Sequence, residues 1–164
     1  MATVLRNTAP ELKTIVDAHN DVKLQIGAGA LFHLDVFEKT ITAANSSDLA
    51  TGLALCNNMI GVVREHFADT LGHKVVDTVD TLPALGAAID LTSAQTAANL
   101  IKASYNVHRA STTYHYNADA TNVIAAADAS SQGTLDTLLN EMKTDINLHM
   151  ASGSAGDSIR LVSA

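Results

Sequence analysis

Two stretches of the chain hold histidines at the same separation: EHFADTLGH, with His66 and His73, and VHRASTTYH, with His108 and His115. Asp77 and Asp119 each follow the second histidine of a pair by four residues, on the same face if that segment is helical. Imidazole and carboxylate are ordinary ligands for zinc and related ions. His66, His73, Asp77, His108, His115 and Asp119 therefore form a candidate metal set. Their spacing matches no compact zinc signature. A histidine near a helix C-terminus is favoured by the helix dipole, and one opening the next helix can cap it or pair with an aspartate. The structural role is the preferred reading, metal is its alternative, and no metal or other cofactor is assigned.

Catalytic chemistry has less to stand on. Cys56 lies within an apolar helix face and reads as a core residue rather than a nucleophile. Glu38, Glu65 and Glu141 are single carboxylates on expected helices and read as solvated. No G-x-S-x-G elbow and no H-E-x-x-H pair is present, and the glycines of QIGAGA lack the lysine and Ser/Thr of a phosphate loop. No catalytic or cofactor-binding residue is assigned, and the chain reads as a non-enzyme.

The elements that must position the histidines follow from composition and repetition. A chain of 164 residues fits one domain, and two prolines with no tryptophan favour helices. The net charge of −7 and the scattered lysines and arginines argue against nucleic-acid binding. One cysteine permits no intramolecular disulfide. No run approaches a membrane span, and MATVLRNTAPELK lacks the apolar centre of a secretion signal.

All seven histidines fall into two series: His19, His66, His108 and His149, then His33, His73 and His115, with steps of 40 to 47 residues. Alignment on the first series brings LKTIVDAHN, MIGVVREHF, IKASYNVHRA and MKTDINLHMA into register. Asn57, Asn99 and Asn140 each stand nine residues before their histidine, and Lys13, Lys102 and Lys143 six before, with Ile60 the exception. The expected fold is all-α: about seven helices, from tandem αα-hairpin repeats of about 41 residues packed as a bundle or short array. An arm, a half repeat (a helix over 8–20) and a connector occupy 1–32, the repeats span 33–72, 73–114 and 115–152, and a tail follows over 153–164.

Each unit is expected to hold a long helix and a short one. Ser46 or Ser47 would cap the first full long helix, Thr92 with Gln95 the next, and Thr8 with Glu11 the half unit, where Pro10 fits the first turn. The short helices would be LDVFEKTITAA, KVVDTVDTLPALGAA (interrupted by Pro83) and YNADATNVIAAAD. Positions three, seven and eleven before each first-series histidine share its face and are almost all apolar, so these histidines point toward the core or its rim. The asparagines lie half a turn away and read as solvated, with contact to a second layer or subunit as the alternative.

The stretch NVHRASTTYHYNADATNVIAAADASSQGTLDTLLNEMKTDINLHMAS resembles repeats in small virion structural proteins of tailed bacteriophages. Those carry a helix, N-x-H-x-A, a short turn, a histidine and a helix with A-A-D-A. The likeness is clearest over 99–152 and fainter over 33–75, and the first long helix departs from it with Pro10 in the asparagine column. It implies architecture rather than chemistry, and no functional residue carries over. The implied role is a non-enzymatic virion protein assembled in the bacterial cytoplasm. A capsid decoration subunit comes first, and a neck, tail or fibre position second. Its partners would be the major capsid or other virion proteins, with self-association into a homo-oligomer and neither nucleic acid nor membrane. MATVLRN and DSIRLVSA would serve as arms across neighbours. A metal-binding helical repeat module using the histidine pairs is the alternative of another class.

Overall fold

Three apolar-striped segments fold as helices, and all three begin with the same device. In a computed structural model describing residues 39–69, 73, 77, 82, 84–115 and 117–152, they are α1 (Leu49–Phe67), α2 (Leu91–Ala110) and α3 (Gln132–Met150). Asp48, Asp90 and Ser131 are the N-caps, each accepting from the backbone N–H of the third helical residue. Thr51, Ser93 and Thr134 return the favour to the cap backbone, which completes three capping boxes. The caps thus fall on Asp48 and Asp90, not on Ser46, Ser47 or Thr92 with Gln95.

Each helix packs against both others. The stripe on the histidine face forms the core: Leu55, Met59 and Val63 from α1, Ala97, Ile101 and Tyr105 from α2, Leu138, Met142 and Ile146 from α3. Cys56 is buried there as a free thiol, and burial pushes its pKa up to about 11. Among the described residues no helix is long and apolar enough to cross a membrane.

The expectation of about seven helices in αα-hairpins is overturned. Among the described residues there are three helices, and the segments that precede them, over 39–48, 84–90 and 117–131, are not helical. The half-unit helix, His19, His33, Glu38, Thr8, Glu11, Pro10, Pro83, the QIGAGA connector and both arms lie outside the described residues.

The inter-helix segments are extended because side chains from the helices take up their backbone groups. Asn57 donates its amide N–H to Ala88 O (3.0 Å) and accepts from Ala88 N (2.8 Å). Asn99 does the same to Ala129 (3.2 and 2.7 Å), and Asn140 to Ser46 (2.9 and 2.8 Å). Two helical turns further along, Asn106 holds Ile124 and Asn147 holds Ile41 by the same pair of bonds. The asparagines therefore clamp a second layer, and the solvated reading fails. An Asn amide offers a donor and an acceptor side by side, as a neighbouring strand would, so a lone extended segment is satisfied without a sheet.

The lysine column works on the same segments. Lys102 donates to Ala126 O and Lys143 to Ala43 O, both at 2.7 Å. Where the column holds Ile60, Arg64 donates to the corresponding carbonyl, Leu85 O, from one turn later (3.3 Å). Glu141 is not merely solvated, since it accepts from the backbone of Ala125 (2.6 Å) and Ala126. At the matching place Asn58 accepts from Thr42 and Ala43. What recurs at 41 to 42 residues is thus one helix with one clamped extended segment. The bonds from α3 to residues 41–46 close the set on itself.

Candidate metal centre

The C-terminal turns of the three helices meet, and each brings one histidine inward. His66, His108 and His149 are fully buried at the end of their apolar stripes. They do not serve as exposed C-caps. A ligand atom from each of His66, His108, His115 and His149 lies within 4.8 Å of the others, and His66 Nε2 stands 3.3 Å from His108 Nε2. His73 joins them, its ring centre 4.8 Å from that of His66 and 5.0 Å from those of His108 and His115. Five imidazoles thus share one interior.

The candidate set of the sequence is brought together, but in two roles. The histidines surround the centre, while Asp77 and Asp119 stand behind two of them. His108 donates Nδ1–H to Asp77 Oδ2 at 2.8 Å and His149 donates to Asp119 Oδ2 at 2.9 Å, with all four side chains fully buried. His73 donates Nδ1–H to Asp69 O (3.0 Å) and His115 to Ser111 O (3.1 Å). A carboxylate or carbonyl can only accept, so these four contacts place the proton on Nδ1 and leave the Nε2 lone pair for another partner. The Nε2 atoms of His73, His115 and His149 are buried away from solvent.

Electrostatics keep the rings neutral. Burial is the largest influence on His73, His108, His115 and His149 and lowers all four pKa values, that of His108 to about 4 and that of His115 to about 2. The neighbouring imidazoles add to this at His108 and His115. Burial by itself would raise Asp119. Hydrogen bonds from His149, from the N–H and side chain of Asn122 and from the N–H of Thr121 outweigh it and hold the carboxyl far below the usual range. The result is a set of neutral imidazoles backed by ionised carboxylate, which is the protonation state a metal ligand needs.

Apolar walls complete the site. Phe67 stacks on His108 with ring centres 4.2 Å apart, and Tyr105 meets His149 edge-on at 5.5 Å. The Tyr105 hydroxyl donates to Asn122 O and Asp145 O, which ties α2 to the segment carrying Asp119.

His149 is the member of the buried cluster that pair-spacing missed, because no second-series histidine follows it. Two signals pointed to it: its place in the His66–His108 column, and Asp119 standing 30 residues before it as Asp77 stands 31 before His108. Compared with protein-family models, with curated proteins and with solved structures, the chain matches none.

Proposed function

We propose that the protein is a metal-binding helical module whose centre is built on His66, His108 and His149, with His73 and His115 alongside, and that the bound ion is structural. The observation that carries this reading is the pair of buried contacts His108–Asp77 and His149–Asp119. A carboxylate behind a histidine fixes the tautomer and turns Nε2 toward a metal, the usual outer-shell arrangement of protein metal sites. Asp77 and Asp119 balance a dication among neutral imidazoles, where a buried charge would otherwise be costly. Imidazole donors favour transition ions over calcium or magnesium. Complete burial of the donors supports a holding role, because a catalytic ion keeps a position open to substrate. The metal ties together three helix ends, so its binding energy is folding energy.

Elemental analysis of purified protein, followed by chelation and reloading, tests this. One equivalent of a transition ion and a raised melting temperature on reloading are expected. Protein that neither carries nor takes up metal would return the histidines to a purely packing role.

The setting is a proposal that rests on the sequence resemblance over 99–152. A non-enzymatic virion component, on the head or on the neck, tail or fibres, is well served by a rigid body with a metal at its heart. Electron microscopy of the protein mixed with bare capsids tests the head position, and bare shells at saturating protein would exclude it.

A further inference from the structure

His73 and His115 look equivalent in the repeat. Each follows a long helix in sequence and donates Nδ1–H to the carbonyl four residues before it, Asp69 O or Ser111 O. Their places in the interior differ. Ligand atoms of His66, His108, His115 and His149 all lie within 4.8 Å of one another, and His73 is outside that grouping. His115 owes its position to Ser111 O, which accepts from both its backbone N–H (3.3 Å) and its ring (3.1 Å). That double bond to one carbonyl folds residues 111–115 back beside the end of α2. One helix end thus supplies two of the four donors, His108 and His115, with ring centres 4.5 Å apart.

The dimensions of this set choose among coordination geometries. With metal–nitrogen bonds of ~2.0–2.1 Å and a ring centre ~1.1 Å beyond each nitrogen, tetrahedral partners have nitrogens ~3.4 Å and ring centres ~5.2 Å apart. Adjacent octahedral partners at the same bond length would stand at ~2.9 and ~4.5 Å. His66 Nε2 and His108 Nε2 are 3.3 Å apart. The ring centres of His66, His108 and His149 form a nearly equilateral triangle with sides of 5.1, 5.3 and 5.8 Å. That of His115 stands 4.5 Å from His108 and 5.0 Å from His149. Three helices, each packed against the other two, deliver such a triangle directly. A square-planar centre would make one side of any trio ~1.4 times the other two, and no side of this one is.

Resting on the metal-binding reading above, we infer that His66, His108, His115 and His149 hold the ion in a closed tetrahedron of four imidazoles, with His73 packed outside the ligand set and Zn2+ as the ion it suits. Zn2+ has no geometric preference from its d electrons and is satisfied by four protein donors, whereas Cu2+ and Ni2+ favour tetragonal sites. The Nδ1 contacts of His108 to Asp77, His149 to Asp119 and His115 to Ser111 O turn three Nε2 lone pairs to the ion. His66 contributes the Nε2 that already faces His108. His73 keeps its ring against His66, His108 and His115, with centres 4.8 to 5.0 Å away, and so steadies three of the ligands. Phe67 on His108 and Tyr105 against His149 wall the set with aromatic surface.

Cobalt separates the two levels of the proposal. Metal-free protein is loaded with Co2+ alone, and the bound ion is read by elemental analysis, by its visible spectrum and by X-ray absorption. One equivalent of cobalt, strong tetrahedral d–d bands and four nearest nitrogens are expected. Weak bands with five or six near ligands would overturn the closed tetrahedron while leaving metal binding intact, whereas no retained cobalt would overturn metal binding itself. The wild-type spectrum decides the geometry whether or not a variant folds. His115→Ala and His73→Ala, checked for folding by circular dichroism, then assign the fourth donor. Folded H115A should lose one nitrogen from the first shell and weaken cobalt by more than the ~10–100-fold that loss of an outer-shell partner costs. Folded H73A should keep four nitrogens and the wild-type bands. Loss of the tetrahedral bands in H73A, or their survival in H115A, would refute the assignment.

Discussion

Acid should unfold the metal-free protein well above the pH at which carboxylates titrate. His73, His108, His115 and His149 all have folded pKa values below the ~6.5 of an imidazole in an unfolded chain. Below pH ~6.5 the unfolded chain therefore holds more protons than the folded one, and stability falls with pH. For His108 the window runs from that value down to about 4. Within it His108 shifts the folding equilibrium by about tenfold per pH unit, and each of the other three adds up to the same while the pH stays above its own folded pKa, a ceiling of ~10,000-fold per pH unit for the four. A domain stable by roughly 5–15 kcal/mol is exhausted by one to three pH units at that slope. The assay is circular dichroism against pH in the presence of a chelator, with proton uptake measured alongside. A cooperative transition centred near pH 5, taking up several protons, is expected, and bound metal should move it to lower pH because the ligands must then lose the ion to protonate. Helix retained down to pH ~4 without proton uptake would refute the claim that buried neutral imidazoles are held in the folded state.

Three further outcomes follow from single side chains. Asn99→Ala removes both bonds to the buried Ala129 backbone, and urea unfolding should show a loss of about 2–3 kcal/mol with an unchanged denaturant slope. A loss below about 0.5 kcal/mol, as at an ordinary surface site, would contradict the clamp. Asp119→Asn keeps the shape but turns one of the two acceptor oxygens into a donor, which then faces either His149 and the Asn122 amide or the Thr121 and Asn122 backbone N–H groups. It should cost about 2–3 kcal/mol and weaken metal binding ~10–100-fold, measured by unfolding and by competition with a chelator. Tyr105→Phe removes a hydroxyl shared by two carbonyls and should cost about 1 kcal/mol in the same unfolding assay, without changing metal stoichiometry.

The three helices and their inward faces were legible in the sequence, because Met59, Ile101 and Met142, with their neighbours at helical spacing, leave one apolar stripe for each histidine to extend. The intervening segments were not. VIAAAD and ITAA carry helix-forming alanines, yet their backbone conformation is decided by side chains distant in sequence, Asn147 reaching Ile41 across 106 residues. Propensity within a window cannot register such a partner. The same blindness made the asparagines look solvated: periodicity places them off the core stripe, and only the second layer shows what they face. The aspartates were seen as possible direct ligands because four-residue spacing suggested a helix. In the extended geometry Asp119 instead bonds Thr121 and Asn122 nearby and reaches His149 on α3.

The clamp between α3 and residues 41–46 also sets an order of assembly. Asn140 and Asn147 hold backbone groups made about a hundred residues earlier, and His149 supplies a ring to the centre from the end of the same helix. While the chain is being synthesised, Ile41 and Ser46 must leave their amides and carbonyls to water until α3 emerges. The interior that gathers the imidazoles does not exist before then. Pairing across so long a separation is a late and slow event in folding. On the metal-binding proposal, biosynthesis therefore postpones the ion's arrival: before α3 is made the nascent chain offers only scattered histidines, and the gathered donors form once α3 closes on residues 41–46.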